Sequence, residues 1–334
     1  VSLHTLFKII KCTSSLQNPL VLLRWLRKRK KGSRPISKIL CEFSVLQIMS
    51  LNILISSDTW PTSAVLSALV ELAQVTKIFV AVRDIETATK TLPSSPLITF
   101  LKEDSEGPHS VFARAGPIDA LFYIPVTGQE ETKAREMIDT SLAHGVKHFV
   151  LASINRGDVP EGQITGVRTL DAMAKTEAYL KTQIAGTYMS WVILQRAQYM
   201  DNIKDDASST LLCTLWAGLP PGKKMQLVSL KDVGWFAAQA LVKPGKWQGK
   251  EVGMAGDELS FEEADVIFLG LRGSRIPRTW GFVGAGLKWA FSDLGQNFEW
   301  LGKTGHGVDV EKCREQHPEV QDFASWLRSS GGLG

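Results

Sequence analysis

The sequence predicts an α/β fold built on a doubly wound parallel sheet, with a smaller C-terminal lobe over one edge. Three observations predict it. Short apolar runs rich in Ile, Val and Phe recur from Leu51 onward, and most lack the alternation of a half-exposed strand, as strands covered on both faces should. Longer amphipathic segments separate these runs, which is the pattern of right-handed βαβ units. After Leu194 the rhythm weakens and aromatic residues gather, with seven of the ten tryptophans following residue 210.

Strands are predicted at Asn52–Ser56, Lys77–Val82, Leu97–Leu101, Ile118–Ile124, Lys147–Ser153 and Met189–Leu194. Helices are predicted over Thr62–Gln74, Ile85–Leu92, Gly128–His144 and Thr169–Ile184. This order is Rossmann-like, and it assigns residues 49–195 to a nucleotide-binding core. Residues 196–334 read as a smaller α/β substrate lobe interleaved with that core, plus a C-terminal tail. Within them, the run from Trp216 to Gly222 (WAGLPPG) signals a loop. Met225–Ser229 and Val252–Met254 read as short strands around a helix at Lys231–Val242. Ser260, with Glu263 three residues on, introduces a helix over Phe261–Leu271 as a capping box. Most of the tail's aromatic residues are expected to pack in its core.

Charge is unevenly spread. Residues 1–48 hold ten Lys or Arg and one acid, Glu42, so the remaining chain carries a net −5 although the whole chain is +4. A mildly acidic body argues against direct nucleic-acid binding through a basic face. No run reaches the ~18–20 apolar residues of a membrane-spanning helix. Cys12, Cys41, Cys213 and Cys313 have neither disulfide nor metal spacing, and no metal site is expected from the histidines. The basic segment, with RWLRKRKK at residues 24–31, reads as sequence preceding a start at Met49. Its other readings are a mitochondrial presequence or a nuclear signal. The body is expected in the cytoplasm or nucleus, with reduced thiols, and in mitochondria only if that leader is a true presequence.

Several segments then fall in the order of a known family: Leu51–Ile55 before a helix, Val80–Asp84 (VAVRD), Ala120–Pro125, Gly145–Ser153 (GVKHFVLAS) and Lys175–Leu180 (KTEAYL). They are followed by Val192–Asn202 (VILQRAQYMDN), Val228–Gly234 (VSLKDVG) and Ala255–Ser260 (AGDELS). Over roughly residues 50 to 272 the chain resembles the NmrA-like proteins, atypical relatives of the short-chain dehydrogenase/reductases, many of them fungal. The resemblance implies an NAD(P)-binding scaffold that serves either as an NADP-dependent reductase or as a regulator sensing the nucleotide's redox state.

Where that family has a G-x-x-G-x-x-G loop after the first strand, this chain reads SSDTWPTS from Ser56 to Ser63. Gly32 is the only glycine before Gly107. Glycines there let the backbone approach the pyrophosphate, and a Cβ at every position opposes that approach. Trp60 is placed to fill the space, and Asp58 to repel phosphate. Ser56, Ser57, Thr59 and Thr62 remain as hydroxyl donors, and Pro61 suits a helix start. Arg83, closing the second strand, is placed to accept an NADP 2′-phosphate, or else to pair with Asp84 or Glu86. Pro125, after the fourth strand, is expected beside the cofactor.

None of the four tyrosines has a lysine four residues on, so the usual Tyr-x-x-x-Lys proton relay is missing. Lys175 occupies the family's lysine position, with Asp171 four residues earlier on the same helical face. Lys175 is therefore the candidate acid/base or ribose-holding group, tuned by Asp171, and Ser153 the candidate donor to a substrate carbonyl. The plainer reading is a surface ion pair beside a capping serine. Asn155–Val167 is expected to cover a ligand, and Tyr199, Met200 and Asn202 to line a substrate cleft. Three functions stay open: an NADP(H)-linked oxidoreductase on a small apolar metabolite, a non-catalytic regulator with a protein partner, and a cofactor-independent isomerase, cyclase or lyase.

Overall fold

The computed structural model describes residues 51–56, 61–104, 107–126, 128–279 and 292–330. Residues 50–334 form one contact unit. The chain lays down β1 (Leu51–Ser56), α1 (Pro61–Val70), β2 (Val75–Val82), α2 (Ile85–Thr91), β3 (Ile98–Lys102), α3 (Pro108–Ala115), β4 (Ala120–Tyr123), α4 (Glu130–Ala143), β5 (His148–Ile154), α5 (Arg168–Ile184) and β6 (Ser190–Arg196). These follow the predicted order, with α3 added.

The strands pair in parallel in the order β3-β2-β1-β4-β5-β6, and β9 (Lys250–Met254) adds to β6. The order reverses between β1 and β4. Crossovers on the two sides of that point run to opposite faces, which leaves a crevice at the strands' carboxyl ends. The non-alternating runs are explained by this burial. In β1, Ile53 and Ile55 face one core while Leu54 faces the other, and all three are fully buried.

The first core packs α1 and α7 (Leu230–Val242) on the sheet through Val65, Leu66, Phe236 and Ala237. The second packs α3, α4 and α5 through Phe112, Ile138, Phe149 and Leu180. Gly234 is what lets α7 lie so close to α1: a Cβ there would stand 2.5 Å from the Ala64 carbonyl oxygen.

The later segments add β9 to the large sheet and form a second, smaller sheet. β7 (Gln198–Tyr199) pairs in parallel with β8 (Met225–Val228), and β10 (Asp257–Leu259) pairs with β8 antiparallel. α6 (Ala207–Ala217), α8 (Phe261–Arg272), α9 (Ser292–Lys303), α10 (Val310–Gln316) and α11 (Phe323–Ser329) complete the lobe. Trp216 and Ala217 belong to α6, so the loop predicted from Trp216 begins only at Gly218. The capping box at Ser260 forms as read, with reciprocal Ser260 and Glu263 bonds. Trp216, Trp300 and Trp326 are buried in one cluster with Phe261, Phe298 and Phe323, which is the packing role expected of them. Trp60, Trp280 and Trp289 lie outside the described residues.

Gly234→Ala is expected to force α7 off α1, because the atom it meets is backbone and cannot rotate away. Overpacking of this kind costs about 1–3 kcal/mol. Chemical denaturation should show that loss; unchanged stability would mean the helices separate freely.

Candidate functional site

The crevice at the switch point begins where β1 ends. Ser56 is buried beside Tyr123 of β4, its register partner. Ser57, Asp58, Thr59 and Trp60 lie outside the described residues, as therefore do the expectations placed on them. Pro61 and Thr62, in the first turn of α1, are buried. Arg83 is exposed where β2 ends. The two acids offered as its partners have other contacts. Asp84 caps α2 by accepting from the Thr87 N–H at 3.0 Å and the Thr87 hydroxyl at 2.6 Å, and Glu86 pairs with Lys90 at 2.6 Å. Pro125 is buried just past β4.

The next part of the edge is the end of β5, and there the arrangement differs from the one expected. Ser153 is buried, and its hydroxyl donates to Oε1 of Glu177 at 2.5 Å. Gln195 on β6 donates to both oxygens of the same carboxyl at 3.3 Å, and Nη2 of Arg156 lies 3.5 Å from Oε2. Burial pushes the Glu177 carboxyl up from the ordinary range, while the Ser153 bond and Arg156 pull it partly back. Nε and Nη1 of Arg156 are buried without a hydrogen-bond partner among the described residues.

The helix that carries Glu177 explains why. Residues Leu170, Met173, Thr176, Glu177, Leu180 and Ile184 of α5 are buried, one stripe at helical spacing. Lys175 lies off that stripe. It is 62% exposed and pairs with Glu131 at 3.6 Å. The expected pairing with Asp171 is not made. Asp171 instead accepts from the Thr165 N–H (2.6 Å), the Thr165 hydroxyl (2.8 Å) and the Gly166 N–H (3.1 Å), so it closes the turn that leads into α5. Lys175 and Asp171 do share a cleft of about 380 Å³, lined also by Gly128, Glu130, Glu131 and Arg168. Ser153 is not among its lining residues.

The loop Asn155–Val167, expected to cover a ligand, is tied at both ends. Asp171 holds its far end. At the near end, Oδ1 of Asn155 accepts from the Gly157 and Gly307 N–H groups, both at 2.9 Å. Nδ1 of His306 meets the Asn155 carbonyl at 2.7 Å. A carbonyl only accepts, so Nδ1 carries the proton. Gly157 adopts a positive φ of 62°, and a side chain on it would collide with the Gly305 carbonyl. Gln226 pairs with both backbone groups of Val308, at 2.8 and 2.9 Å. The segment Thr304–Val308 therefore clasps the start of the loop.

Tyr199 packs against the first core and carries the Arg196 guanidinium 4.1 Å from its ring centre. Met200 is fully buried in the aromatic cluster, and Asn202 is half-buried at the end of the 3₁₀ turn that Met200 begins. Of the three residues expected to line a substrate cleft, Met200 is thus a packing residue. Among the described residues, no group of three or more His, Cys, Asp or Glu is placed to hold a metal ion, and no helix is long and apolar enough to cross a membrane. Cys213 and Cys313 are free and buried.

Sequence reading missed Glu177, Arg156 and His306. Glu177 had a signal, since it is the one acid inside the apolar stripe of α5. The Asn155–His306 contact joins residues 151 positions apart, and nothing in the sequence marks it.

Burial lowers the His306 ring from its ordinary 6.5 to about 4. The unfolded chain therefore takes up this proton first as pH falls. The stability that the neutral ring supplies is present above pH 6.5 and is lost between 6.5 and about 4. Thermal unfolding should show a shallower loss across that window in His306→Gln, with the share of His148, also lowered to about 4, left in place. Identical pH profiles for both proteins would contradict the clasp.

The NmrA-like family model matches residues 62–317. Among solved structures, an NADPH-dependent quinone oxidoreductase from Escherichia coli, complexed with NADPH, is 18% identical with a TM-score of 0.65 over 83% of this chain and 98% of its own. A nucleoside-diphosphate-sugar epimerase from Staphylococcus aureus is 14% identical, with a TM-score of 0.64 over 84% and 100%. NmrA, a negative transcriptional regulator solved in complex with NAD, is 12% identical, with a TM-score of 0.60 over 84% and 95%. At such identities these likenesses concern the fold. No curated protein sequence matches the chain.

Proposed function

We propose that this chain, which belongs to the NmrA-like family, binds a nicotinamide dinucleotide along the carboxyl edge of its sheet, favours NADP(H), and acts as a regulator that passes the nucleotide's redox state to a protein partner. The observation that carries this reading is the rotation of α5. It turns Glu177 inward to occupy the Ser153 hydroxyl and turns Lys175 out to Glu131. Lys175, the candidate acid/base, Asp171, expected to tune it, and Ser153, expected to donate to a substrate carbonyl, are each engaged elsewhere in the fold.

The residues present fit the dinucleotide in part. The strand order reverses beside β1 and α1 follows it closely, so the helix N-terminus would meet the pyrophosphate. Arg83, exposed at the end of β2, would meet a 2′-phosphate. A loop with a Cβ at every position opposes the close approach on which tight binding depends. Weak binding suits a sensor, whose occupancy must follow the cellular pool. The nicotinamide, when bound, is what exchanges hydride. Support also comes from fold relatives solved with NADPH and with NAD, the second of them described as a transcriptional regulator. The acidic body directs the regulatory contact to protein rather than nucleic acid.

A second reading, a reductase of a small, apolar, oxygenated metabolite, is favoured by one observation. Two buried nitrogens of Arg156, Nε and Nη1, have no hydrogen-bond partner among the described residues, beside a carboxyl whose affinity for its proton is raised. There Arg156 would hold the substrate oxygen, and Ser153, backed by Glu177, would supply its proton.

Titration with NADPH and NADH, followed by tryptophan quenching, tests the first reading. Saturable quenching is expected, tighter for NADPH. Arg83→Ala should weaken NADPH by about ten- to a hundredfold and NADH little, since a lost charge-assisted bond is worth roughly 1.5–3 kcal/mol. No response to millimolar NADPH would sink dinucleotide binding, and equal losses for the two nucleotides would sink the role of Arg83. Steady NADPH consumption with a quinone or carbonyl, abolished by Glu177→Gln, would replace the regulator with the reductase.

A further inference from the structure

His109 and His144 are 35 residues apart in sequence, and neither has a spacing that suggests a ligand pair. The fold brings them together. His109 is the second residue of α3, and His144 is the C-cap of α4. Both are exposed. Nδ1 of His109 faces Nε2 of His144 at 3.4 Å, beyond the roughly 2.7–3.2 Å of an ordinary hydrogen bond from nitrogen. The pair is thus set slightly too far apart for a proton to join it well.

The separation suits something larger. Two zinc–imidazole bonds of about 2.0–2.1 Å at a tetrahedral angle put their nitrogens about 3.4 Å apart. The His144 ring is also held in place. His144 stacks on Phe112, with centroids 4.9 Å apart and planes 16° from parallel. Phe112 is itself buried, so the stack is anchored in the core. The Thr140 hydroxyl lies 3.4 Å from Nε2 of His109. That contact too is longer than an ordinary hydrogen bond, but it places Nε2 on the Thr140 side of the ring and leaves Nδ1 as the nitrogen that faces His144. The backbone at His144 is fixed too, since its N–H donates to the Thr140 carbonyl at 3.0 Å.

We propose that His109 and His144 form a two-imidazole site for a borderline divalent cation of the zinc, nickel or copper class, with water completing the shell. Imidazole nitrogen selects these ions over magnesium and calcium, which prefer oxygen. The bound ion would clip the start of α3 to the end of α4, on the sheet face opposite α1. The site is independent of the dinucleotide and of the acid at Glu177.

The test uses the full chain, zinc chloride as the probe and magnesium chloride as the control. Calorimetric titration and thermal unfolding are compared for the native chain, His109→Asn, His144→Asn and the double variant. Because both side chains are exposed, the variants should keep the native circular dichroism. Zinc is expected to bind and raise the unfolding temperature. Each single variant should weaken it at least about tenfold, the double variant should lose the thermal shift, and magnesium should do nothing. Zinc affinity and thermal shift unchanged in the double variant would overturn the site, and so would the absence of any zinc-dependent heat in the native chain.

Discussion

One buried carboxyl sets the geometry of the candidate site. Glu177 reaches from α5 under the end of β5, where it takes the Ser153 hydroxyl, the Gln195 amide of β6 and the Arg156 guanidinium. An α-helix turns about 100° per residue, so residues two apart point in nearly opposite directions. With Glu177 held inward, Lys175 has to face out. A carboxyl left alone in that position would carry a large desolvation cost. Three polar neighbours reduce it, and the raised proton affinity shows that they do not remove it. Two strands, one helix and one loop are therefore joined through a single side chain, and the loss of any partner would be felt by all of them.

The same edge is closed from the other side by Asn155, two residues past Ser153. Its side-chain oxygen and carbonyl gather Gly157, His306 and Gly307, which fastens the loop after β5 to a segment from the end of the chain. In many α/β proteins such loops move over a ligand. Here the loop starts under the His306 clasp and ends on Asp171. The sheet order and its crevice are those of the Rossmann-like fold, whereas the contacts at β5 tie the loop after it to the rest of the chain. The proposed binding and signalling role is consistent with both.

The sheet was legible in the sequence because strands covered on both faces read as unbroken apolar runs, and the Ser260 cap because it follows a local capping rule. Helix α3 was not legible: PHSVFARA is too short to show a helical period, and it is held by Phe112 and Val111 in the core. The tail helices escaped for a similar reason, since their apolar residues are spread among aromatic and charged ones and become a stripe only once packed. In the site, resemblance favoured Lys175, while the periodicity of Leu170, Met173, Leu180 and Ile184 already placed position 177 inward and position 175 outward. The glycine-free loop was visible at once. The long-range contacts of Arg156, His306 and His109 depend on tertiary approach and leave no local trace.

The most direct test of this account is the titration of the Glu177 side-chain carboxyl by nuclear magnetic resonance, in the native chain and in Ser153→Ala. The account predicts a midpoint above the ordinary 4.5, because burial outweighs the neighbours that favour the charge, and a further rise when the Ser153 bond is removed. A midpoint at or below 4.5 that is indifferent to Ser153 would mean that the carboxyl stands in water. The inward rotation of α5, and the functional reading built on it, would then be wrong.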